Sequence, residues 1–120
     1  QLVIGTADNI NENNMWYSFL LFASFEGICK LGFYTGVGSG STVSVDCGFQ
    51  PRFVLIKRAD SSGEWYHMNT HQGIDNYATW QSGAWTNLDL IDLTSTGFTV
   101  KGGGTTVNTS GGRYTFYAHA

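Results

Sequence analysis

The run from Leu31 to Arg58, LGFYTGVGSGSTVSVDCGFQPRFVLIKR, constrains the fold more than any other part of the chain. Gly36, Gly38 and Gly40, interleaved with Ser39 and Ser41, form a turn rather than a helix. Glycine accepts positive φ without steric cost, and each glycine inside a helix costs about 1 kcal/mol relative to alanine. Val43, Val45 and Cys47 then alternate with Ser44 and Asp46, the period of a half-buried strand. The only proline, Pro51, interrupts the chain before Phe53-Val54-Leu55-Ile56. That short apolar run reads as a strand covered on both faces.

The remaining sequence extends this pattern. Two strands are expected at Trp16–Ser24 and Ile28–Thr35, broken at Glu26-Gly27. Phe53–Arg58 and Glu64–Asn69 flank the turn Asp60-Ser61-Ser62-Gly63 as a hairpin. Thr70–Asn87 lacks a period and reads as a long loop, followed by short strands at Leu88–Ile91, Gly97–Lys101 and Thr105–Asn108. Arg113–Ala118 is a strong final strand, and Gly102-Gly103-Gly104 reads as a turn. No segment sustains a helical period. Nine or ten short strands at this spacing predict an all-β antiparallel β-sandwich, jelly-roll-like, without substantial helix.

A chain of 120 residues is expected to form one domain, residues 1–120, that buries roughly two-thirds of its unfolded surface. With 15% aromatic and 12% charged residues it is not a disordered sequence. A net charge of −3, with Lys57-Arg58 as its one basic cluster, argues against a nucleic-acid partner. No apolar run approaches the ~20 residues of a membrane helix, so membrane insertion is not expected. Opening on Gln1 rather than Met fits either removal of a leader or excision from a longer polypeptide. The segment Asn13–Ala23 runs like Asn108–Ala118, from an Asn through polar residues into an aromatic strand ending in Ala. Residues 1–26 are therefore read either as the tail of an upstream copy of the module or as an assembly strand, against the plainer reading that two sheet strands look alike.

Taken in order, several of these pieces resemble a module of tail-fibre and other virion proteins of tailed bacteriophages. The resemblance rests on Tyr34-Thr35-Gly36-Val37-Gly38-Ser39, Gly48–Arg58, Glu64-Trp65-Tyr66, Gly97-Phe98 and Asn108–Ala118, and covers roughly residues 27–120. The chain departs from the module's pattern at Cys29 and Cys47, where small polar residues are usual, and at Asn69-Thr70-His71. The resemblance implies a structural role in the virion and carries no catalytic residue over to this chain.

If a hairpin is centred near Gly38, Cys29 falls opposite Cys47 within reach of a disulfide; two buried free thiols are the alternative. His67 and His71 would lie about 13 Å apart on one strand, too far to share an ion, so neither a metal nor any other cofactor is expected. Gly38-Ser39-Gly40 is not a nucleophile elbow, because it does not join a strand to a helix. The carboxylates of Asp75, Asp89 and Asp92 are too sparse to indicate a glycosidase pair. The aromatics Trp65, Tyr66, Tyr77, Trp80 and Trp85, with Gln81 and Asn87 nearby, suit either a subunit interface or a glycan-binding face.

The expectation is thus a non-enzymatic structural protein of a bacteriophage virion, as tail fibre, appendage or capsid decoration. It would be located in the virion or outside the cell and would join copies of itself and other virion proteins. A carbohydrate-binding module recognising host surface glycans and a subunit of a secreted filament are the alternatives.

Overall fold

A computed structural model describes residues 3–102 and 105–120. Its strands are β1 (Cys29–Thr35), β2 (Val43–Asp46), β3 (Phe53–Arg58), β4 (Trp65–Asn69), β5 (Asn76–Thr79), β6 (Trp85–Asn87), β7 (Ile91–Thr94), β8 (Gly97–Val100) and β9 (Arg113–His119). Two single helical turns, α1 (Asp8–Asn11) and α2 (Thr105–Asn108), are the only helices among the described residues.

The strands form two antiparallel sheets, ordered β1-β9-β3-β4-β5-β6 and β2-β8-β7. The chain is an all-β sandwich. First pairs with last and second with penultimate, on opposite sheets, which is the nested start of a jelly roll. The interior then departs from that plan, because β3 to β6 continue as a meander along the larger sheet.

Alternation along each strand separates two faces. Tyr34, Val54, Ile56, Met68, Tyr114, Phe116 and Ala118 point inward from the larger sheet. They meet Val45, Ile91, Phe98 and Val100 of the smaller one. Phe98 and Phe116 cross edge to face at 5.4 Å, joining the two layers, and Tyr34 stacks on Tyr114 at 5.1 Å. Edge-to-face and offset arrangements of this kind suit the ring quadrupole.

Several sequence expectations are corrected by the packing. The glycine turn does not close a hairpin: β1 and β2 belong to different sheets, and residues 36–42 carry the chain from one layer to the other. The turn is instead held by the segment before β9. Gly36 N–H donates to Gly112 O at 2.8 Å, Gly111 N–H to Gly36 O at 2.9 Å and Gly38 N–H to Asn108 O at 2.9 Å. A Cβ at Gly36 would lie 2.2 Å from Thr109 O, so the close approach itself demands glycine there. The fully buried Asn108 side chain completes the clasp, donating to Gly38 O, Ser41 O and Lys101 O and accepting from Val37 N–H at 2.8 Å.

The hairpin across residues 53–69 forms as expected. The stretch Thr70–Asn87 is not one loop but holds β5 and β6, whose turns interrupted the pattern. Strand β7 begins at Ile91, three residues later than Leu88. Thr105–Asn108 is a helical turn, which lets Asn108 reach back to the glycine loop. Of the expected turn Gly102-Gly103-Gly104, residues 103 and 104 lie outside the described residues.

Candidate interaction surface

Trp16–Ser24 was expected to be a strand and is not one. Local hydrogen bonding gives the reason. Phe25 N–H donates to Cys29 O at 2.8 Å and Cys29 N–H to Phe25 O at 2.9 Å, the first rung of an antiparallel ladder on the free edge of β1. The next rung is taken by side chains. Leu31 N–H donates to Ser24 Oγ at 2.9 Å, and Cys29 Sγ–H donates to Ala23 O at 3.2 Å. The ladder ends after one bridge, and residues 15–24 cross the outer face of the larger sheet as a strap.

The middle of that outer face is apolar where an antiparallel sheet usually meets water with polar side chains, while the rows beside it carry Lys57, Thr115, Asn69 and His119. The registers align Leu31, Tyr117, Leu55, His67, Ala78 and Trp85 in a single row across all six strands. Rings continue along it: Phe22 of the strap lies 4.8 Å from Tyr117, Phe53 lies 6.3 Å from Tyr117 and 6.1 Å from His67, and His67 meets Trp85 edge-on at 5.1 Å. Leu55 is only 5% exposed although it points away from the core between the sheets. Burial in this apolar row holds the His67 imidazole below its ordinary pKa. Burial likewise pushes the Tyr117 phenol up, with the neighbouring Cys29 adding to it.

Trp65 and Trp80 stack face to face at 5.0 Å with an 11° angle between planes. With Leu31, Leu55 and Tyr117 below and Phe19, Leu20 and Phe22 above, they bound an apolar groove of about 640 Å³ between strap and sheet. The strap leaves much of its own apolar surface in water: Trp16 is 100%, Leu20 73% and Leu21 71% exposed.

The sequence-derived candidates divide by strand parity. Trp65, Trp80 and Trp85 lie on the outer face. Asn87 is on edge strand β6 and donates to Asn76 Oδ1 at 3.2 Å, while the Gln81 amide faces the Glu64 carboxylate. Tyr66 and Tyr77, expected with them, instead point inward, meet edge-on at 5.4 Å and pack against the core. Burial raises the Tyr66 pKa, as that position requires. Phe22, Leu31, Phe53, Leu55 and Tyr117 escaped sequence reasoning as surface residues, although the uninterrupted apolar run at β3 signalled a strand with no face to water.

The expected placement of Cys29 opposite Cys47, on which a disulfide depended, is corrected as well. Cys29 lies opposite His119 on β1, Cys47 follows β2 in the other sheet, and both are free thiols. Cys47 is buried with its amide donating to Thr96 O at 2.7 Å, and burial together with Asp46 pushes its thiol up to about 11. His71 sits in the turn after β4, and the His119 ring Nδ1 lies 3.1 Å from the Tyr117 hydroxyl. Among the described residues no three His, Cys, Asp or Glu side chains converge as metal ligands. No helix among them is long and apolar enough to cross a membrane.

Fold and surface together define a two-sheet β-sandwich with an apolar, partly strapped outer face. The chain belongs to the family described as a domain of unknown function (DUF7483), which it matches over residues 1–120. No curated protein and no solved structure matches it.

Proposed function

We propose that this domain is a non-enzymatic building block of a bacteriophage particle, in a tail fibre, an appendage or a capsid decoration. It acts by packing against copies of itself and other virion proteins. The observation that carries the assembly reading is the apolar row across six strands, with the exposed Phe19 and Phe22 rings of the strap above it. Beside it Trp16, Phe19, Leu20, Leu21, Trp65 and Trp80 leave large apolar side chains in water, and adjoining exposed apolar groups of this kind mark interaction sites. The phage assignment is supported by the order and spacing of the sequence motifs, two of which the fold clasps together at Gly36–Gly38 and Asn108–Gly112. Mass spectrometry and immunogold labelling of density-purified particles test it. The domain should be a multicopy particle component, and its absence from particles would overturn the assignment.

A glycan-binding role is the second reading, favoured by the exposed Trp65–Trp80 pair beside a groove. Their mutual stacking uses one indole face of each ring, so the pair is not the flat, open platform on which a sugar ring stacks best. Glycan-array binding by the isolated domain, lost in Trp80→Ala, would establish this reading in place of the first.

A further inference from the structure

We infer that the strap, residues 15–24, exchanges between copies of this chain, the strap of one lying on the outer sheet face of the next. This exchange presupposes the self-assembly reading above and supplies its mechanism.

Three observations meet on it. Among the described residues the strap pairs with no strand beyond the Phe25–Cys29 bridge, since Ser24 and Cys29 side chains take the groups that would continue that ladder. Its docking within the chain is incomplete: Phe22 reaches Tyr117, yet Phe19 remains 61% exposed and the apolar groove stays beneath it. Among the described residues no strand pairs with the β1 edge beyond Leu31. Because Cys29 turns its N–H and C=O away from β9, so does every second residue after it, including the exposed Phe33.

A second copy fits these needs better than an unrelated partner. Its strap has the composition that already docks on this face, so every contact made within the chain is re-formed between chains. Only the turn at Phe25–Ile28 must open, a segment held by the Phe25–Cys29 pair and the bond from Ile28 N–H to Phe25 O. Exchange of an identical element is a low-cost route to association. Stacking two strapped faces then removes from water the surface that a single strap leaves exposed, which is the net driving force. The contact is self-complementary, so a closed pair is the expected unit.

Site-directed cross-linking tests this. In a Cys29→Ser, Cys47→Ala background, Phe22→Cys is placed on one population of chains and Tyr117→Cys on another. The two are co-expressed and treated with a short bis-maleimide. Exchange predicts that most linked product is the heterodimer, and that chains carrying both cysteines link mainly to one another. Linkage only within the doubly substituted chain, with the mixed single variants unlinked, overturns the proposal. Sedimentation equilibrium of the unsubstituted protein gives an independent check if the variants fold poorly. Dimer from micromolar to near-millimolar concentration supports exchange, and monomer throughout refutes it. Links confined to one chain in a protein that is still found in purified particles would remove exchange and leave the virion role standing. Interchain links in a protein absent from particles would do the reverse.

Discussion

Replacing Asn108 should show how much of the fold depends on one buried amide. Its side chain is fully buried, with Nδ2 near Gly38 O at 3.3 Å, Ser41 O at 2.9 Å and Lys101 O at 3.2 Å, while Oδ1 accepts from Val37 N–H at 2.8 Å. Two N–H groups serve three carbonyls, so the set amounts to about three full hydrogen bonds, each worth ~1 kcal/mol net. Asn108→Ala should therefore lose about 3 kcal/mol of unfolding free energy, a fall in Tm on the order of 10 °C for a domain this size. Asn108→Asp is the sharper probe, because it sets a carboxylate oxygen against carbonyls that need donors. Its folded-state pKa should rise above the ~3.9 of an unfolded Asp, so its stability is greatest below that value and falls as pH rises through the folded pKa. Urea titrations followed by tryptophan fluorescence at pH 4 and pH 7 measure both effects. Asn108→Ala within ~0.5 kcal/mol of the parent, or Asn108→Asp without pH dependence, would refute the clasp as a source of stability.

Other consequences follow from equally local features. Gly97→Ala should destabilise by about 3 kcal/mol or more in the same assay, because the added Cβ would lie 2.0 Å from Val45 O on the paired strand, where only backbone could yield. The Cys47 thiol, held up to about 11 against an ordinary 9.0, makes stability complete below pH 9 and draws it down by roughly 2 kcal/mol as pH rises toward 11; Cys47→Ala should flatten that part of the pH profile, and an unchanged slope would exonerate the thiol. Thiol-reagent kinetics at neutral pH should show the buried Cys47 reacting only as the protein opens, in contrast to the half-buried Cys29. Trp65→Ala with Trp80→Ala should leave the circular-dichroism melt within a few degrees of the parent and reduce self-association or particle incorporation at least tenfold; normal association would take the groove out of the functional account.

The sequence by itself determined the class of fold and most strand positions, for reasons that act locally. Alternation at Val43–Asp46 and Arg113–Ala118 and the aliphatic run at Phe53–Ile56 select extended chain, and the turn residues at Asp60–Gly63 reverse it, without help from distant partners. That last run even shows both faces of β3 covered, as Val54 and Ile56 on one side and Leu55 on the other prove to be. What covers Leu55 was decided only in three dimensions. Trp16–Ser24 has the composition of a strand, but two side-chain hydrogen bonds at Ser24 and Cys29 stop its ladder and turn it onto the sheet face. The same limit explains the cysteines: sequence proximity across a glycine turn suggests a hairpin, whereas β1 finds β9 and β2 finds β8 because that pairing closes the core between two layers. Tyr77 parted from Trp80 through strand parity, which a stretch without a clear period could not disclose, whereas Tyr66 and Trp65, neighbours on an expected strand, already had to face opposite ways. The glycines of the Gly36–Gly40 turn were legible as glycines. The need for glycine at Gly38 and Gly40 is positive φ, which a turn in the sequence already suggests. The reason for Gly36, the close approach of Asn108 and Thr109 from the far end of the chain, is a property of the packed molecule alone.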